Sequence, residues 1–325
     1  MEENLFQQRT DLGDLQQAVE QLKSEIGKII VGQEEMVELL LAGILSDGHI
    51  LIEGVPGVAK TLTAKLLSKV IAVGFSRIQF TPDLMPSDVI GTSVFNPRES
   101  SFQFRQGPIF SNIILIDEIN RAPAKTQSAL FEVMEERQIT VDGQTYALKA
   151  PFMVVATQNP IEQEGTYHLP EAQLDRFLFK INVGYPTPEQ EFLIVSNHHH
   201  SRLDSRMDSV QSVLTAERIE SLRARVRDLH VEEKLIHFIT SIVIATRNNK
   251  AIYLGASPRA SLGILNAAKS LAAMRGRDFV IPDDIVYVAP AVLRHRLVLA
   301  PEKEMEGVTT DNVIDDIIKS IEVPR

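Results

Sequence analysis

The stretch Gly54-Val55-Pro56-Gly57-Val58-Ala59-Lys60-Thr61 lies between an apolar run, Ile50-Leu51-Ile52, and a helix-like segment that begins at Leu62. A strand that turns through glycines straight into a helix admits few folds. The loop's backbone N–H groups converge and the helix N-terminus adds partial positive charge, so the turn is built to receive phosphate. In such a loop Lys60 reaches the terminal phosphates of a nucleotide and the Thr61 hydroxyl takes a magnesium position. One position departs from the pattern Gly-x-x-x-x-Gly-Lys-Thr, because Ala59 stands where the second fixed glycine is expected. Alanine is tolerated there if the residue has right-handed helical angles and is disfavoured if φ must be positive.

The flanking sequence supplies a sheet for that loop. Apolar positions at helical spacing (Leu15, Val19, Leu22, Ile26, Ile29) predict a helix, a short turn at Val31-Gly32-Gln33 and a second helix through Met36, Leu39 and Leu40. Five strand-like runs follow, over residues 49–53, 77–80, 113–116, 152–157 and 177–183, separated by helical or irregular segments. Short, nearly continuous apolar runs alternating with helices predict an α/β fold with a five-stranded parallel sheet between helices. Two interruptions predict hairpins. Residues 92–108 alternate on either side of Asn96-Pro97-Arg98, and Ile139-Thr140-Val141 and Gln144-Thr145-Tyr146 flank Asp142-Gly143, a two-residue hairpin signal. They project from the sheet or shield its edges. After Tyr185-Pro186-Thr187-Pro188 the pattern is helical, so the 325 residues divide into a core over 1–186 and an all-α domain over 187–325. His198-His199-His200 reads as a solvated run rather than a metal site, since no further cluster of ligand residues accompanies it.

A second chemical element is Ile113-Ile114-Leu115-Ile116-Asp117-Glu118, an apolar strand ending in two acids. Parallel sheets place ligands at the C-terminal edge of their strands. There Asp117 can hold magnesium, directly or through water, while Glu118 points the other way and can polarise an attacking water. The fourth run ends Ala156-Thr157-Gln158-Asn159-Pro160, which brings Asn159 close to those acids.

These stretches, with Asp117-Glu118-Ile119-Asn120-Arg121-Ala122-Pro123, Leu169-Pro170-Glu171-Ala172-Gln173-Leu174-Asp175-Arg176-Phe177 and Gly255-Ala256-Ser257-Pro258-Arg259-Ala260, jointly resemble the MoxR family of AAA+ ATPases, from about Leu15 to Val286. Ala59 is that family's own form of the loop. The resemblance implies a P-loop AAA+ core with a helix-2 insert at about 92–108 and a pre-sensor-1 hairpin at about 138–150, followed by an all-α lid. It implies ATP and Mg2+ as cofactors and hydrolysis of the β–γ phosphoanhydride. Gly54, Val55, Pro56, Gly57, Val58, Ala59, Lys60, Thr61 and Leu62 match the nucleotide loop, Gly32 and Gln33 the segment against the adenine, and Thr61 and Asp117 the magnesium positions. Glu118 matches the acid that activates water, Asn159 sensor 1, Arg176 the finger that completes a neighbour's site, and Arg259 sensor 2, in cis or in trans; Arg121 is a rival for the finger. The family's usual assembly is a hexameric ring acting on protein clients, in some cases for metal cofactor insertion, often with a partner that carries a von Willebrand factor A domain.

Composition decides between two uses of such a ring. A formal net charge of −10 argues against phosphate-backbone binding, although Phe95, Arg98, Phe102, Phe104 and Arg105 mix aromatics with charge as single-strand binders do. Glu99 lies in the same loop and the turn at Asp142-Gly143 has no basic residue. The expectation is therefore a remodelling chaperone without a nucleic-acid partner, with a nucleic-acid-translocating ring ATPase as the alternative. The absence of cysteine excludes thiolate metal sites, and no apolar stretch is long enough to span a bilayer, which together predict a soluble cytoplasmic protein.

Overall fold

The computed structural model describes residues 12–55, 57–159, 167, 169–200 and 203–324, so Pro56 and Pro160 lie outside the described residues. The described chain divides into two compact units, residues 22–40 and 47–220 in one and residues 12–21, 41–46 and 221–324 in the other. Helices α1 (Gly13–Gly27) and α2 (Glu34–Leu45) open the chain. Strand β1 (His49–Gly54) then leads through the glycine loop into α3 (Lys60–Val70), followed by β2 (Phe75–Gln79) and the short α4 (Pro86–Ile90). A hairpin, β3 (Gly91–Asn96) and β4 (Ser101–Gln106), precedes β5 (Ile113–Asp117) and α5 (Ala124–Glu136). A second hairpin, β6 (Gln138–Val141) and β7 (Gln144–Ala147), precedes β8 (Met153–Gln158), α6 (Glu171–Leu174) and β9 (Phe177–Val183).

The sheet runs β2-β5-β8-β1-β9 with every pair parallel. Every residue of β5 is buried, as its unbroken apolar run requires of a strand covered on both faces. One face packs Leu51, Ile114, Ile116 and Phe177 against α5, where Phe131 meets the Phe177 ring edge-on at 5.8 Å. The chain leaves β1 toward β2 on one side of the sheet while β9 lies on the other, and this divergence opens a crevice beyond the C-terminal end of β1. The phosphate-loop stretch follows that end.

Both hairpins form as the sequence predicts. Asp142 and Gly143 have φ of 51° and 76°, the paired positive angles of a tight two-residue turn. The two hairpins pack on each other: the Phe104 ring lies 4.7 Å from Tyr146 and 5.9 Å from Phe110, and Ser93 Oγ bonds the Asp142 carboxylate. Gly91, at φ 111°, is where the first hairpin departs; a Cβ there would stand 2.3 Å from the Arg105 carbonyl oxygen. Val94, Phe95 and Phe102 remain exposed near its tip.

Helices α7 (Pro188–His200) and α8 (Leu203–Asp208) belong to the unit that contains the sheet. The chain continues through α9 (Ala216–Arg227) and α10 (Glu233–Asn248), strand β10 (Ile252–Leu254), α11 (Pro258–Met274) and α12 (Pro282–Leu293). Strand β11 (Val298–Leu299), α13 (Pro301–Met305) and α14 (Thr310–Ser320) complete it. In the helical unit Ile242, Leu271, Val288 and Ile314 are fully buried. Proline at the first helical position and a Ser257 side chain that accepts from the Arg259 N–H open α11 as the sequence implies. The β10–β11 ribbon departs from the helix-only pattern; strands of three and two residues are too short to carry a periodicity. Asp284 is fully buried and takes two bonds from Arg277 (2.5 and 2.7 Å), one from Arg275 (3.2 Å) and one from the Ile281 N–H (3.0 Å), which pins the start of α12.

Candidate active site

The loop after β1, the acids after β5 and the end of β8 lie along one edge of the sheet, because all three strands point the same way and β8 lies between the other two. In the loop Lys60 Nζ donates to the Gly54 carbonyl, folding the lysine back over the turn. Gly57 has φ 89° and a Cβ there would meet nothing within 4 Å, so its glycine serves backbone conformation and not space. Ala59 has φ 62° and ψ 17°, so of the two cases it is the disfavoured one, positive φ on an alanine, that the loop adopts. The left-handed residue turns the chain into α3, and its carbonyl accepts from the Thr63 N–H and hydroxyl at 2.9 and 3.0 Å. An L-residue held there costs about 1–2 kcal/mol relative to its preferred angles, which alanine's small side chain keeps near the low end.

The two acids are held differently. Asp117 Oδ1 accepts from Thr157 Oγ1 at 3.2 Å, and Oδ2 from Arg77 Nε at 2.6 Å. Glu118 has left-handed angles (φ 57°, ψ 53°), its backbone N–H donates to Thr157 Oγ1 at 3.1 Å, and its Oε2 accepts from Gln79 Nε2 at 2.8 Å and is ion-paired with Arg121, whose Nε is 2.9 Å away. The reversal of backbone angles between Asp117 and Glu118 separates the two carboxylates. Asn159, buried, follows directly after β8. Sequence alone does not single out Thr157, Arg77 or Gln79; Gln79 is level with Asp117 across β2 and β5, a relation visible only once the strand order is known.

Behind the loop is a cavity of about 240 Å³ lined by Ile30, Val31, Val58, Leu62, Ile194 and His198, with Gln33, Gly57, Ala59 and Arg206 also reaching it. Its size is close to the lower end of ligand pockets, about 300 Å³, and suits a base rather than a whole nucleotide. Gly32 does not line it; its φ of 72° and the Gln190 side chain within 2.6 Å of where a Cβ would be explain the glycine structurally. His198, His199 and His200 are exposed, as a solvated run is, and His198, one turn after Ile194, also borders this cavity. Among the described residues no group of histidine, aspartate or glutamate side chains is arranged to hold a metal by itself.

The two candidate finger arginines, Arg121 and Arg176, stand at different ends of the sheet. Arg176 immediately precedes β9, and Phe177 is level with His49 at the start of β1. The phosphate loop follows the far end of the six-residue β1, about 20 Å away at 3.3 Å per residue, farther than an arginine side chain extends. Its guanidinium bonds the Phe131 carbonyl at 2.9 Å and pairs with Glu135 at 3.3 Å. Arg121 by contrast lies on Glu118 of its own chain. Arg259 is in the helical unit, on the first turn of α11.

Comparison with known proteins bears on the same residues. A family model described as "ATPase family associated with various cellular activities (AAA)" matches residues 49–179, and one for the AAA lid domain matches 244–317. The Mycobacterium tuberculosis protein named Chaperone MoxR1 is 47% identical over 310 residues, covering 93% of this chain and 81% of that one. Protein MoxR of Methylorubrum extorquens is 27% identical, covering 95% of each. A crystal structure of a Cytophaga hutchinsonii protein proposed to be an ATPase superposes with a TM-score of 0.88 at 41% identity, covering 96% of this chain and 97% of that one. Among the described residues no helix is long and apolar enough to cross a membrane.

Proposed function

The chain belongs to the MoxR family of AAA+ ATPases and hydrolyses ATP, and from that premise we propose that hydrolysis drives the remodelling of protein clients by the paired hairpins. The observation that carries this reading is the packing of the two hairpins into one projection through Phe104, Tyr146 and Phe110, with apolar side chains exposed near its tip, on the same unit as the acids.

Within the site the base enters the apolar cavity, and the N–H groups of the loop with Lys60 cradle the phosphates. The oxygen donors Thr61 and Asp117 suit Mg2+, which takes few protein ligands beside phosphate and water. Bound magnesium supplies charge that offsets the phosphate oxygens. Glu118, freed from Gln79 and Arg121, accepts the proton of the water that attacks the γ-phosphorus, and Asn159 orients that water. Arg176 serves the site of a neighbouring subunit, since it stands at the opposite edge of its own sheet; this requires a closed oligomer, for which the family's hexameric ring is the proposed form. Clients that need maturation, including metal cofactor insertion, and a partner with a von Willebrand factor A domain fit this reading.

The test uses a photo-reactive phenylalanine analogue at Phe102 in the Glu118→Gln protein. A client should crosslink with ATP and not with ADP, and once purified it should stimulate ATP turnover by the parent protein. If the captured protein leaves turnover unchanged, or if single-stranded nucleic acid binds below micromolar with steep salt dependence instead, the ring moves nucleic acid and the chaperone reading is wrong.

A further inference from the structure

Both oxygens of Asp117 already have partners, and the two partners differ in how readily they leave. Thr157 is 3% exposed and ties Asp117 to the Glu118 backbone, so it is fixed in the core. Arg77 stands on β2, the strand at the end of the sheet, and its side chain is 54% exposed against 10% for Asp117. A carboxylate this buried is costly without a counter-charge, and the 2.6 Å bond from Arg77 Nε supplies one. A cation that binds the same carboxylate oxygen displaces the guanidinium, and the exposed Arg77 side chain has solvent to move into.

We propose that Arg77 is a displaceable counter-ion for Asp117, competing with magnesium for the same carboxylate and swinging to solvent when the metal arrives. The proposal rests on the reading of Asp117 as the magnesium carboxylate. Arg77 is thereby a positioning residue that sets how much magnesium the site needs. A single-nitrogen contact from a half-exposed arginine has the strength of a good surface ion pair, which translates into roughly a two- to five-fold change in metal affinity.

The measurement is the Mg2+ concentration that half-saturates the metal-dependent gain in affinity for a fluorescent ADP analogue, in the full-length protein. Arg77→Met, which keeps the length and removes the charge, should lower that concentration about two- to five-fold, whereas Arg77→Lys should stay near the parent. In an Asp117→Asn background the Arg77→Met effect should vanish. A half-saturating concentration that is unchanged or raised in Arg77→Met, or an Arg77→Lys protein that behaves as Arg77→Met does, overturns the competition. If Asp117→Asn alone leaves the concentration unchanged, the metal reading itself fails, and the proposal with it.

Discussion

Replacing Thr157 with valine removes one hydroxyl and nearly nothing else, yet two bonds depend on it. The hydroxyl accepts the Glu118 N–H at 3.1 Å and donates to Asp117 at 3.2 Å, in a position 3% exposed. Valine fills the same space, so the cost is the unpaired N–H and the lost donor to the carboxylate, about 1–3 kcal/mol in total. The same N–H anchors Glu118 at φ 57°, and without it the residue relaxes toward ordinary angles and its carboxylate swings away from the crevice. A displacement on the order of 1 Å lowers turnover up to about 100-fold, so a fall of roughly 10- to 100-fold is expected. ATP affinity should stay within about three-fold, because the phosphate loop is carried by β1 and not β8. Thr157→Ser should retain both properties. Since the chain has no tryptophan, unfolding in urea is best followed by far-ultraviolet circular dichroism, beside steady-state turnover. A Thr157→Val protein within about 0.5 kcal/mol and two-fold turnover of the parent, or a Thr157→Ser protein as impaired as Thr157→Val, refutes the role assigned to the hydroxyl.

Three further outcomes are expected. Asp284→Asn should cost about 1–3 kcal/mol of stability by urea unfolding, less than a sealed ion pair because Arg275 and Arg277 reach solvent; no measurable loss would show that the network contributes nothing. The Lys28 side chain, then the Gln211 N–H, hold the Glu25 carboxyl below its usual range; its contribution is therefore full above the unfolded value near about 4.3 and disappears as pH falls through the lower folded value. Acid unfolding of Glu25→Gln should accordingly show a shallower loss of stability below that pH, and an unaltered acid limb counts against the assignment. Finally, mixtures of Glu118→Gln and Arg176→Ala subunits, after exchange is verified by fluorescence transfer, should hydrolyse ATP faster than the mean of the two pure variants; activity at or below that mean counts against Arg176 acting between subunits.

What the sequence disclosed was whatever its chemistry keeps local. The phosphate loop, the acids at the end of β5 and the Asp142-Gly143 turn each fit within a few consecutive residues, and their neighbours along the chain are also their neighbours in space. Arg77 and Gln79 were invisible because their partners lie about 40 positions away, joined only by the pairing of β2 with β5. Sequence places Thr157 only at a strand end, because a hydroxyl in an apolar run does not announce which backbone it serves. Ala59 shows the limit of residue preference: the turn from Gly57 into α3 demands a left-handed residue, and the surrounding loop imposes it on an alanine. His198 follows the apolar run Phe192-Leu193-Ile194-Val195, and only the position of Ile194 in the cavity reveals which side of α7 faces it.

The central claim is that one edge of one sheet binds ATP through the loop and hydrolyses it through Glu118. The most direct measurement compares ATP binding by calorimetry with turnover in Lys60→Ala and Glu118→Gln. Lys60→Ala is expected to lose ATP binding, while Glu118→Gln binds ATP within about three-fold of the parent and loses roughly 10²- to 10⁴-fold in turnover. A Lys60→Ala protein that binds ATP as the parent does, or a Glu118→Gln protein that turns over at the parental rate, would contradict it.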